Sequence, residues 1–177
     1  MKHYRVRYII LGTVIALVLL TTLLPRLVKA KTSHDIRNIM IASLDLVQPG
    51  LIFNYKEDQV FVDCQDVMYF TTVCKGGVFL STKRGENNLR PGVTPKDIEN
   101  YIIRTSATLK SQGWSEYEYK TDSRPDGVTY LYFIHSKNFG SISCEVLFNY
   151  SSVDVITGKS PSFAQQIRCS RELPFIF

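Results

Sequence analysis

The chain has 177 residues, the length of one ordinary domain plus an appendage. Its net charge of +5 is unevenly placed: six of the 21 Lys and Arg residues lie in the first 31 positions, which hold no Asp or Glu, and from Thr32 onward 15 basic residues face 16 acidic ones. The basic excess belongs to a membrane interface, and the absence of a basic stripe interleaved with aromatics excludes nucleic acid as a partner.

The N-terminus reads MKHYRVR, a short basic tail over residues 1–7, expected to be cytosolic. Residues 8–24, YIILGTVIALVLLTTLL, carry no charge, and Pro25 and Arg26 end the run. Seventeen residues at ~1.5 Å each span about 26 Å, enough for a hydrocarbon core when flanking residues snorkel. Residues 8–25 are therefore expected to be a transmembrane helix in contact with lipid. A signal peptide is the competing reading, with Val28-Lys29-Ala30 as its cleavage site. The length of the run and the charges at Arg26 and Lys29 favour an uncleaved signal anchor. Lys2, Arg5 and Arg7 nearly balance Arg26, Lys29 and Lys31, so charge alone does not orient it. The short N-terminus and the cysteines do, placing residues 26–177 outside the cytosol as one domain.

In that domain Ser33 can cap a helix whose apolar face is Ile36, Met40, Leu44 and Val47, ended by Pro49-Gly50. The pattern leaves open that this helix continues the apolar one as a stalk, since only Pro25 interrupts. Strand-like runs follow (LIFNY, QVFVDC, VMYFTTVC, GVFLSTK), punctuated by KGG and RGENNLRPG. Thr94, Pro95 and Asp97 then open a second helix with Ile98, Ile102, Thr105 and Leu109 on one face and Gly113 at its end. In WSEYEYKT, Tyr117 and Tyr119 alternate with Glu116, Glu118 and Lys120, a strand with one wet face. VTYLYFIH, SISCEVLFNY and FAQQIRCS complete the strands, separated by TDSRPDG, SKNFG and a polar loop at 151–162. The apolar end, PFIF, is expected to dock on the body or on a partner. The order predicts an α+β fold: a transmembrane helix, then a single antiparallel-sheet domain packed with two amphipathic helices.

Four cysteines in a chain that crosses a membrane predict two disulfides. The spacings contain no close pair of the zinc-ribbon kind, so neither metal nor any other cofactor is expected. A hairpin around the 151–162 loop sets Tyr150 opposite Phe163 and Cys144 opposite Cys169, within disulfide range. Cys64 and Cys74 remain for each other, yet a straight strand would hold them about 25 Å apart at 3.3 Å per residue. They meet only if the chain folds back near Tyr69, where no turn former stands; pairing across the halves is the alternative.

Catalytic signals are sparse. His3, His34 and His135 share no ligand spacing, and no HExxH is present. VITGKS, ending at Ser160, lacks the first glycine of a phosphate loop, and GSISC, from Gly140, misplaces the serine of a nucleophile elbow. Glu116 and Glu118 share a face, an alternation that a solvated strand face shows; the carboxylate pair of an extracytoplasmic hydrolase would converge only in three dimensions. The reading that remains is a single-pass, membrane-anchored domain that binds or scaffolds a protein partner of a cell-envelope assembly. The plan of apolar helix, stalk and sheet with a C-terminal disulfide also resembles pilin-like subunits. Their processing motif, Gly then Phe or Met with Glu further on, differs here: Thr13 follows Gly12, and Leu17 stands in place of the acid.

Overall fold

The computed structural model describes residues 2–47, 52–54, 59–67, 71–81, 90–123, 129–152 and 162–174, with residues 2–8, 123, 129 and 174 described by backbone alone. The elements are α1 (Lys2–Val47), β1 (Phe61–Val67), β2 (Thr71–Ser81), α2 (Pro95–Ser111), β3 (Ser115–Ser123), β4 (Thr129–Phe139), β5 (Ile142–Ser151) and β6 (Ser162–Pro174). All six strands form one antiparallel sheet in the order β1-β2-β6-β5-β4-β3. The fold is α+β, with two helices among the described residues rather than the three expected: the apolar segment and the first amphipathic helix are one element.

Two halves of α1 meet different surroundings. Residues 9–23 are exposed, whereas from Thr32 a buried stripe runs through Ile36, Met40, Leu44 and Val47, all at 1% exposure or less. Pro25 lies where the halves join. It removes one helical N–H and crowds the turn before it, which commonly ends a helix. Here packing of the second half against the sheet holds the helix through it. Ser33 consequently caps nothing; it sits inside α1, its hydroxyl 3.1 Å from the Cys64 sulfur.

β1 runs antiparallel to this half of α1. Lys29 Nζ bonds Asp66 (2.7 Å), Ser33 meets Cys64, and Arg37 Nη1 donates to the Val60 carbonyl (3.0 Å), helix numbers rising as strand numbers fall. The KGG segment, read as a turn, lies inside β2. A Cβ on Gly76 would stand 2.5 Å from Met40 Sδ and 2.6 Å from Ile36 Cγ2. One on Gly77 would stand 2.7 Å from the Phe61 ring on the opposite face. These glycines serve close approach, not reversal.

α2 carries a full capping box: Thr94 Oγ1 accepts from the Asp97 amide (3.3 Å), and Asp97 Oδ2 accepts from the Thr94 amide (2.9 Å). Gly113, at φ +78°, closes it and lets the Trp114 amide donate to Leu109 O (3.0 Å). Both helices cover one face of the sheet. Between them and it lies an aromatic core in which Phe53 stacks on Phe163 (5.1 Å) and Tyr101 meets Phe148 and Phe163 edge-on (6.1 Å each).

β3 departs from the regular strand expected. Its register slips between Glu116 and Glu118, and as an edge strand it is wet on both sides, with Tyr117 78% and Tyr119 51% exposed. β4 and β5 join through a two-residue turn at Gly140 (φ +63°), a conformation that hairpins favour. Residues 68–70, 124–128, 153–161 and 175–177 lie outside the described residues. They hold the expected fold-back at Tyr69, most of the TDSRPDG turn, the polar loop with VITGKS, and the apolar C-terminus.

Candidate functional site

The four cysteines form two cross-strand disulfides, Cys64–Cys74 and Cys144–Cys169. Each joins directly opposed residues of a ladder, with Cα atoms 3.9 and 4.1 Å apart. The objection to a local Cys64–Cys74 bond disappears because the chain reverses between Val67 and Thr71, where the ladder closes. Both bridges face the helices, and Cys74, Cys144 and Cys169 are buried. A sulfur in a disulfide has no proton, so Ser33 donates to Cys64 and links the first bridge to α1.

The carboxylates do not converge. The bulge leaves Glu116 opposite His135 and Glu118 opposite Ile134, neighbours on β4 whose side chains point to opposite faces. Glu116 bonds Lys110 of α2 at 2.8 Å, and Glu118 bonds Lys120 at 2.5 Å. The shared face expected from alternation is thus lost to one extra residue, Tyr117.

His135 is fully buried beneath α2, its Nε2 2.9 Å from Ser106 Oγ. Burial pushes its pKa below the ordinary histidine value, with Lys110 adding to that and Glu116 opposing it. The neutral ring stacks on Phe133, and Nδ1 has no partner among the described residues. A serine–histidine nucleophile needs a carboxylate on the far ring nitrogen and amide donors for the developing oxyanion. Ser106 lies inside α2, whose geometry commits backbone amides to intrahelical bonds, and Glu116 is held by Lys110. The pair works as a polar tie between helix and sheet. Sequence spacing gave no sign of it, because Ser106 and His135 are 29 residues apart and meet only once α2 lies on β4.

Two grooves border the helices. One, about 410 Å³, is lined by Ile103, Ala107, Lys110, Glu116, Tyr119 and Phe133. The other, about 440 Å³, runs between α1 and the end of α2, with Ile39, Ala42, Leu46, Trp114 and Phe139 as an apolar wall. Lys137 closes it, donating to the Gln112 carbonyl (2.5 Å) and lying 5.3 Å from the Phe139 ring. Trp114 and Phe139 pack edge-on at 5.8 Å, giving the second groove a rigid aromatic floor. His34 is spent on Asn38, whose amide nitrogen lies 3.0 Å from Nε2. No cluster of His, Cys, Asp and Glu able to hold a metal occurs among the described residues.

No protein-family model matches this chain, and no curated protein or solved structure matches it either.

Proposed function

We propose that the chain is a single-pass, membrane-anchored extracytoplasmic domain that binds or scaffolds a protein within a cell-envelope assembly. One observation carries the reading: α1 passes unbroken from an apolar, wholly exposed half into a half packed on the sheet. Fifteen consecutive exposed residues, 9–23, of such apolarity need a non-aqueous surrounding. The two disulfides fit a body outside the reducing cytosol. The Trp114–Phe139 groove is the surface offered to a partner side chain. Fractionation of the full chain tests this. It is expected in membranes after alkaline extraction, with residue 1 retained and its body cut by external protease. A soluble product beginning after Ala30 overturns it. For the binding role, a photoreactive residue at Leu46 is expected to trap one partner of constant mass. The same background of products at Leu46 and at Thr121, on the far edge strand, sinks that role.

The continuity of α1 favours one second reading, a pilin-like or secretion-apparatus subunit. It predicts shortening near Gly12 and recovery of the protein in sheared surface filaments; an intact N-terminus ends it.

A further inference from the structure

The apolar run and the folded body share a boundary without a linker. The last apolar residue, Leu24, and Pro25 are already partly covered, Val28 packs against the core, and Lys29 bonds Asp66. Lys29 stands five residues past Leu24, about 7.5 Å along a helix at 1.5 Å per residue. A headgroup layer is roughly 5–8 Å thick, from a hydrocarbon core of about 30 Å in a bilayer of 40–45 Å. Asp66 therefore lies at headgroup depth when the apolar run fills the core.

The strand directions decide what else lies there. β1 runs toward the apolar half of α1, so its end at Val67 points toward the lipid. Register places Thr71 opposite Val67 and Pro174 opposite Thr71, so three strand ends share this level. Val67 is 45% exposed, and Leu27, on α1 at the same depth, is 65% exposed. Arg26 is exposed beside them, a cation suited to lipid phosphate.

We infer that the end of the sheet at Val67 and Thr71, together with Arg26 and Leu27 of α1, is a second membrane contact that seats the body in the headgroup layer. The inference rests on the anchor reading above. The Lys29–Asp66 ion pair and the Ser33–Cys64 contact clamp β1 to α1 at this level, so the body sits against the membrane at a fixed orientation instead of swinging on a tether. The Trp114–Phe139 groove is then held at one height above the lipid.

The test uses the full chain with both disulfides intact, in vesicles of equal parts phosphatidylcholine and phosphatidylglycerol. A nitroxide is placed singly at Val67→Cys, Leu17→Cys and Thr121→Cys, and its collisions with oxygen and with a water-soluble nickel complex are compared. The expected oxygen-to-nickel ratio is highest at Leu17, several-fold above the Thr121 value at Val67, and aqueous at Thr121. Thr71→Cys gives an independent reading where the Val67 label disturbs β1. An aqueous ratio at both Val67 and Thr71 with a hydrocarbon ratio at Leu17 overturns the contact and leaves the anchor standing. An aqueous ratio at Leu17 overturns both.

Discussion

The Tyr101 hydroxyl donates to the carbonyl of Val47, the last residue of α1, at 2.8 Å, and lies equally close to the side-chain amide of Gln165 on β6. One buried group on α2 thus ties the end of α1 to the centre of the sheet, and burial raises its pKa well above the ordinary tyrosine value. Tyr101→Phe keeps the ring and strips the hydroxyl, leaving the Val47 carbonyl and the Gln165 amide unpaired in the core. The expected loss is about 1–3 kcal/mol, read as a lower urea midpoint for the full chain in mild detergent. An unchanged midpoint would show that the three elements are held by packing alone.

Gly76 lies directly beneath Met40 and Ile36 of α1, with no room for a side chain. Gly76→Ala drives a methyl into Met40 and Ile36 and is expected to cost about 1–3 kcal/mol. Met40 is a flexible side chain and Ile36 is not, so shortening Met40 relieves part of the clash. The double variant Gly76→Ala with Met40→Ala is expected to lose less stability than the two singles added together. Strict additivity in the same denaturation series would place the strain elsewhere.

His135 gives the body a pH dependence whose sign follows from burial. Its native pKa lies below the unfolded value, which is about 6.5. As pH falls through 6.5 the unfolded chain takes up a proton that the native one still refuses, so stability is full above that range and declines below it. His135→Asn is expected to flatten the denaturation midpoint between about pH 6.5 and 5. Asp97 acts in a lower window. The Thr94 hydroxyl and then the Thr94 amide hold its carboxyl below the ordinary aspartate value of 3.8, so its contribution is lost only as pH falls below that value. A slope near pH 6 that survives His135→Asn would assign it to another group.

The two disulfides close loops of different length, with separations of 10 and 25 residues. In the chain-entropy account each stabilises by about 2.5–3.5 kcal/mol, the longer loop more. Cys144→Ser with Cys169→Ser is therefore expected to lower the denaturation midpoint at least as far as Cys64→Ser with Cys74→Ser. Removing the first bridge also frees Ser33, so faster hydrogen exchange in β1 is expected for that variant. Peptide maps without reductant check the pairings, and a Cys64–Cys144 peptide would contradict both ladders.

Gly76, Ser33 and the Glu116–Glu118 pair mark places where the sequence misled, and the reasons differ. Gly76 and Gly77 looked like a turn because glycine is the common punctuation of one, yet the same lack of a side chain admits Met40 on one face and Phe61 on the other. Ser33 looked like a cap because it precedes a periodic apolar run, but the helix had already begun far upstream. Glu116 and Glu118 looked like a pair because alternation assumes one residue per step; Tyr117 breaks the step, and no local signal marks a bulge at an edge strand.

Local rules sufficed wherever the partner was close in sequence or the period was long. Thr94, Pro95, Asp97 and Gly113 specify α2 completely, since capping and left-handed termination are short-range physics. The stripe from Ile36 to Val47 and the alternation in β5 specify the buried faces for the same reason. The tertiary structure alone decided that α1 continues through Pro25, that Ser106 meets His135, and that β1 runs back toward the apolar half of α1. Each of these depends on contacts between segments far apart in the chain, where packing energy overrides local propensity and no periodicity can report the partner.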